Sequence, residues 1–457
     1  MIECPGCGGN LKFDIALQKM HCAFCGNNYD PYDFDAKDSD GKIVEDYETT
    51  IYTCAECAGE IESTEESITG VCPFCGANTI FYSRISSELR PNYLIPFKVT
   101  KETCKENYLK AARKALFLPK EYKNKDYIDG FRGIYMPYWS YNIEQKGRSY
   151  VMGEKSHRQG DYVYHDHFRL GGDADSYYHG ITYDASSSFS DDISERIAPF
   201  DVKQGQPFTA GYLSGFYADT ADVDSETYHS EVLDFARENT YKKISKIPEF
   251  RSYRIEKKSS NDKLNNKLQK TDRTLFPVWF MSYRYKDRVA YATVNGQTGK
   301  VAADFPIDIK KYLGFSAVLA ALLFVVMNFF IVMKHTTLTF WSAVLSVIVL
   351  ILYLIESSEI SRRDSMSDDK GYNSGKKKKK SSKGTYKPMP ILACITGAAI
   401  SAIVWFSDTI YDYVHYGASI VSSICVVIAL TFLIRDFNVL ATRRLPQFDK
   451  KGGDDEA

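Results

Sequence analysis

Before residue 76 the chain places eight of its eleven cysteines in four C-x-x-C pairs. Cys4-x2-Cys7 and Cys22-x2-Cys25 are separated by fourteen residues, and Cys54-x2-Cys57 and Cys72-x2-Cys75 repeat the arrangement fifty residues on. Two residues between cysteines let both thiolates of a tight turn reach one ion at about 2.3 Å. A short hairpin then carries the second turn opposite the first and closes a tetrahedral four-thiolate site. The interval is slightly shorter than the common four-cysteine range, but it occurs twice at identical spacing. Between the pairs, Leu11-Lys12-Phe13 and Gly59-Glu60-Ile61 predict the strands of small β-hairpins. Fragments this short bury too little to fold alone, so the metal must supply folding energy.

The expectation is two structural zinc ions, one held by Cys4, Cys7, Cys22 and Cys25 and one by Cys54, Cys57, Cys72 and Cys75. Iron in a rubredoxin-like site is the alternative metal, and a catalytic zinc is disfavoured because no coordination position stays open. Gly8, Gly26 and Gly76 follow the second cysteine of their turns, where a positive φ is useful; Ala58 departs from the pattern and predicts a less regular turn. His21 adjoins Cys22, but four thiolates already complete that site. Paired cysteines of this kind argue for metal in a reducing compartment. Cys104, Cys394 and Cys425 stand alone and are read as inert, the last two lying in apolar runs.

These pairs resemble TFIIB-type and RNA-polymerase-type zinc ribbons, modules that often touch nucleic acid. The charge argues against that use. Residues 1–80 hold four lysines, no arginine and fifteen Asp plus Glu, a balance of −11. Each four-thiolate zinc site adds about −2 more. Affinity for nucleic acid comes largely from cations on phosphates. The reading is therefore an acidic, protein-docking arm, with nucleic acid an improbable partner.

Four apolar runs are long enough to span a bilayer: 312–333, 336–355, 389–406 and 416–434. Lys310 and Lys311 precede the first, and Arg362, Arg363, Lys370, the run Lys376 to Lys380, Lys383 and Lys387 fill the connection between the second and third. Arg435, Arg443, Arg444, Lys450 and Lys451 follow the fourth. The other two connections are short. Basic loops stay inside, so the topology is two helical hairpins in the cell membrane with both termini cytoplasmic. The opening Met1-Ile2-Glu3-Cys4-Pro5-Gly6 lacks a basic and then an apolar stretch, so no cleavable signal peptide is expected. The lysine run sets topology and can attract anionic lipid. No span carries a charge at mid-depth, which disfavours a pump or transporter; Asn328 and the Ser/Thr residues are expected to pair between helices.

Residues 91–308 are soluble in composition. Tyr93 to Phe97 reads as a strand, Glu102 to Leu118 as a helix stopped by Pro119, and Ser225 to Ile244 as a helix with a polar face. Ile134 to Tyr141 and Leu275 to Tyr283 share a layout of apolar lead, Pro, one residue and Trp, a weak internal duplication of a β-unit. Asn295-Gly296 after Val289 to Val294 is a hairpin signal. Ile95-Pro96-Phe97, Tyr135-x-Pro137-x-Trp139, Pro277-x-Trp279 and Asn295-Gly296-x-Thr298-Gly299 together resemble the pattern of bacterial membrane-anchored TFIIB-type zinc-ribbon proteins. That resemblance implies a scaffold, with PspA-like (phage-shock) or SPFH/flotillin-like partners, and brings no catalytic residues.

The resulting fold class is multidomain. Two tandem β-hairpin zinc ribbons (1–34 and 50–84) precede a mostly β, α+β domain (91–308). A four-helix membrane region follows, its hairpins joined by a Lys-rich loop (356–388) and closed by a tail (435–457). His157, His165, His167 and His179, interleaved with Asp161, Asp166, Asp173 and Asp175, are the one other cluster of metal-ligand type; His165-x-His167 puts two rings on one strand face. Half-exposed strand positions explain them as well. The basic stretch Lys242 to Arg273 reads as a solvated or membrane-facing surface. No G-x-x-x-x-G-K-[ST] loop occurs, which excludes a helicase of that type. The expected function is a membrane-anchored scaffold or adaptor that recruits proteins, self-association included. The alternatives are a nucleic-acid-associated factor and, further off, a membrane enzyme or transporter.

Overall fold

The computed structural model describes residues 2–35, 46–63, 70–79, 81–255, 263–330, 334–365, 369–370, 387–407, 411–446 and 448. The run Lys376 to Lys380 lies outside them. Along the chain come β1 (Leu11–Asp14), β2 (Lys19–Cys22), β3 (Asn28–Tyr29), β4 (Asp46–Cys54), β5 (Glu60–Ser63), β6 (Gly70–Val71), β7 (Asn78–Thr79), β8 (Phe81–Leu89) and β9 (Tyr93–Leu94). Then follow α1 (Lys101–Lys114), α2 (Lys125–Ile128), β10 (Arg132–Gln159), β11 (Tyr162–Asp184), α3 (Asp191–Ile197), β12 (Gln206–Pro207), β13 (Tyr217–Ala218) and α4 (His229–Ile244). The domain closes with β14 (Arg254–Ile255), β15 (Lys263–Tyr285), β16 (Arg288–Asn295) and β17 (Val301–Ala303). Helices α5 (Ile309–Phe330), α6 (His335–Asp364), α7 (Pro388–Phe406) and α8 (Asp412–Leu440) precede a last short strand, β18 (Arg443–Arg444).

The two Pro-x-Trp segments are antiparallel neighbours, β10 against β15, with Ile134 opposite Val278 and Pro137 opposite Leu275. Their period-two alternation buries both faces. Tyr135, Leu275, Trp279 and Ala292 share one core with Tyr108 and Ala112 of α1. Ile134, Met136, Phe276, Val278 and Phe280 share the other with Ile193 and Ile197 of α3. The segments around Phe97, Trp139, Trp279 and Gly296 meet here. Phe97 stacks on Phe216 at 4.5 Å and lies 5.2 Å from Trp279, and the Lys98 and Val99 amides both donate to the Gly296 carbonyl. Trp139 and Trp279 each donate their indole N–H to a backbone carbonyl, Val223 and Val99, at 2.8 Å. These residues hold the sheet together. Helix α1 stops at Lys114, short of the expected Leu118, and leaves Leu118 buried in the first core. Pro119 disfavours helical backbone at the residue before it.

The cysteine units are not a free arm. Leu11, Phe13 and Met20 of the first unit lie in the α1-side core, and Ile61 and Phe74 of the second lie in the α3-side core. The first unit is a separate sheet, β1-β2-β3, held to the domain by the Phe13 amide on the Ser214 carbonyl and by Gln18 on the Phe97 carbonyl. The second continues the main sheet: β4 pairs β8 from Asp46↔Leu89 to Cys54↔Phe81, and β5 pairs both β4 and β13. Its expected limits, 50 and 84, therefore fall inside strands β4 and β8.

Among the described residues, four helices are long and apolar enough to cross a membrane, Ile309–Val326, His335–Asp364, Pro388–Phe406 and Asp412–Leu440. They do not form one bundle of four. Helices α6, α7 and α8 pack together through small and hydroxyl side chains, with Ser342 on Ser401 at 3.2 Å and Ser346 on Ser422 at 3.1 Å. No residue of α5 from Ile309 to Val326 is buried. Asn328 belongs to the part of α5 whose side chains are not described. Helices α6 and α8 outrun the apolar stretches, and these extensions anchor the β domain. Arg288 pairs with Asp364 at 2.9 Å and donates to the carbonyls of Val439 and Thr442. Asn438 exchanges two 2.8 Å hydrogen bonds with the backbone of Ile307.

Candidate metal centres

Each cysteine pair sits on the same local turn. In the first unit the Cys4 amide donates to the Gly9 carbonyl and the Gly8 amide to the Cys4 carbonyl; Cys22, Asn27 and Gly26 repeat this. The second unit repeats it again with Cys54, Gly59 and Ala58 and with Cys72, Ala77 and Gly76. The residue after the second cysteine of every turn is left-handed: φ is 71° at Gly8, 74° at Gly26 and 68° at Gly76. Ala58 holds the same geometry at φ 58°, so the turn expected to be irregular is regular and Ala58 carries the strain.

The hairpins bring the four sulfurs of each unit together. Within each set all four lie within 4.8 Å of one another. Cys4 and Cys25 are 3.6 Å apart, Cys7 and Cys22 3.4 Å, and the pairs Cys54–Cys75 and Cys57–Cys72 are both 3.8 Å. A tetrahedral ion with metal–sulfur bonds of about 2.3 Å spaces its ligands about 3.8 Å apart, so both sets fit a structural metal with all positions filled by thiolate. None of the eight is in a disulfide. His21 instead bonds Asn28 at 2.8 Å.

The two sites differ in exposure. Cys7 and Cys25 are open to solvent, whereas all four cysteines of the second unit are buried. The chain's C-terminal segment helps seal the second: the Phe448 amide donates to the Cys57 carbonyl at 2.9 Å, and its ring meets Phe74 at 6.0 Å. Nothing local in the sequence marks residue 448 as a neighbour of residue 57. Cys104 is buried in the core, and burial pushes its thiol up, which suits an inert role.

The histidines are spread along the β10–β11 hairpin. His165 and His167 lie opposite Ser156 and Glu154, on one face as the spacing implies, and His165 bonds Glu154. His157 turns to the other face, 3.1 Å from Asp166 and stacked on Tyr164, and His179 is exposed nearer the domain. Among the described residues, only the two cysteine sets bring three or more metal-ligand groups together at this range.

No family model matches the chain, and no solved structure matches it. Over 318 residues it is 27% identical to the uncharacterized protein YdjG of Bacillus subtilis strain 168, an alignment that spans 68% of this chain and 91% of that protein.

Proposed function

We propose that the chain is a membrane-anchored adaptor in which two zinc-filled, ribbon-like units stiffen a β domain that presents a long hairpin to protein partners. The observation that carries this reading is the β10–β11 hairpin. Its strands are 28 and 23 residues long, and β11 pairs only with β10 among the described residues, leaving its other edge open. Tyr162 at 73% exposure, with Val163, Tyr164 and Tyr177, lines that strand. An open edge with exposed aromatics is the surface that strand-adding partners use. The four-thiolate sites leave no position for a substrate, which suits structural metal. The distribution of lysine and arginine supports four membrane spans with both termini in the cytoplasm. The pattern shared with membrane-anchored TFIIB-type zinc-ribbon proteins favours a phage-shock-like or flotillin-like partner, with a second copy of the chain as the alternative occupant.

The test is affinity purification of the full chain in detergent, with partners identified by mass spectrometry. Replacing both Tyr162 and Tyr164 by Lys is expected to cut recovery of the recurrent partner about tenfold or more, the effect of losing one interface anchor. Zinc content should stay unchanged. Equal recovery with the altered hairpin would remove β11 as the recruiting edge.

A further inference from the structure

A cavity of about 650 Å³ opens where the tip of the β15–β16 hairpin meets the start of α5 and the end of α8. The two helices fix its level against a bilayer. The apolar run of α8 ends at Ile434, and Arg435, the next residue, lines the cavity. The charge-free run of α5 begins at Tyr312, and Pro306 and Ile307, just ahead of it, line the cavity too. Asn438 holds Ile307 through two 2.8 Å hydrogen bonds, so both helices cross that level side by side. Past this point α5 buries none of its residues up to Val326, and Leu313, Val318 and Leu322 stay exposed. In a bilayer, lipid tails cover such faces, and the cavity lies at the end of the space they fill.

The walls suit a headgroup. Tyr122 and Tyr283 meet at 4.7 Å, and Tyr285, 63% exposed, lines the same cleft. Tyrosine, with an apolar ring and a wet hydroxyl, is a residue of membrane boundaries. Two bases, Lys286 and Arg435, and two acids, Glu121 and Asp287, line the cleft, and among the described residues none of the four has an ion pair. Arg288 lines it as well, but Asp364 takes its guanidinium at 2.9 Å. Single exposed charges are ordinary. Here both signs stand open in one aromatic-walled cleft at the mouth of a lipid-covered groove.

We propose that this cleft holds the headgroup of one zwitterionic phospholipid of the phosphatidylethanolamine class. Its phosphate faces Lys286 and Arg435, its ammonium faces Glu121 and Asp287, and its acyl chains run along α5. Charge complementarity selects this occupant. Arginine grips a phosphate through its planar fork and lysine as a point charge. An anionic head such as phosphatidylglycerol answers the two bases and leaves the two acids without a partner. The inference rests on the membrane-spanning part of the proposed function and not on the recruiting hairpin.

The experiment uses the full chain, washed in detergent to remove loosely held lipid. Native mass spectrometry reads the phospholipid retained, and titration with phosphatidylethanolamine or phosphatidylglycerol in mixed micelles reads affinity. One phosphatidylethanolamine per chain is expected. Lys286→Gln with Arg435→Gln should weaken its binding about tenfold or more, with zinc content and Tm unchanged, since all four side chains are unpaired. Glu121→Gln with Asp287→Asn should let phosphatidylglycerol bind as well as phosphatidylethanolamine. A wild-type chain that retains no phospholipid, that prefers phosphatidylglycerol, or whose lipid is displaced by inorganic phosphate alone overturns the proposal, as does binding unaltered in both double variants. Membrane fractions washed in carbonate separate the two readings. A chain released without detergent defeats the membrane reading itself, whereas one that stays in the membrane and keeps no lipid defeats only the cleft.

Discussion

Phe24 and Phe74 hold the same place in the cysteine repeat, fifty residues apart, and each ring covers a matching glycine, Gly9 or Gly59, where a Cβ would strike it. Yet Phe24 is 80% exposed and Phe74 is 1% exposed. The two units share one turn chemistry and one sulfur geometry, and they sit in opposite settings. The first is a small sheet of its own, leaning on the domain with half its ligands in water. The second is spliced into the main sheet, closed over by Phe280 and Tyr291 from one side and by Phe448 from the other. The difference teaches that thiolate spacing specifies a metal site but not its structural weight. That weight comes from which core the hairpin joins.

Removing one ligand from each unit should separate them most. Structural zinc contributes about 10–16 kcal/mol in small zinc-dependent units, more than the whole margin of many domains. Cys57→Ser should therefore leave the chain aggregated or unfolded. Cys7→Ser should give a folded chain that retains one zinc and is cut by protease only near its N-terminus. Metal analysis and limited proteolysis check both, and equal damage from the two substitutions would break the contrast. The matched phenylalanines come next. Phe74→Ala is expected to cost about 3–5 kcal/mol and Phe24→Ala no more than about 0.5 kcal/mol, measured by denaturant unfolding. The smallest effect concerns the turns. Ala58→Gly should stabilise by about 0.5–1 kcal/mol by relieving a left-handed alanine, and Gly8→Ala should lose a similar amount, since nothing but backbone strain opposes its Cβ. A loss at Ala58→Gly would show that the second turn is not strained.

What the sequence revealed followed the range of the interactions involved. The sulfur sets, the four apolar helices and the alternation at Ile134 to Tyr141 and Leu275 to Tyr283 are local patterns, and each has its structural counterpart. The pairing of β10 with β15 joins residues more than a hundred positions apart, and the suspected duplication marked the two strands without showing that they are partners. The packing of the first cysteine unit against Ser214 and the seal of Phe448 on Cys57 have no local signature at all. Arg362 and Arg363 read as part of the Lys-rich loop; in the structure they continue α6. The histidine pattern placed His165 and His167 on one face correctly, and the strand geometry then spread the remaining histidines apart.

The most direct test of the account is the metal content of the detergent-purified, full-length chain, determined by elemental mass spectrometry against protein concentration. Two closed four-thiolate centres predict two zinc ions per chain that survive dialysis. No stoichiometric metal, or cysteines recovered as disulfides, would contradict it.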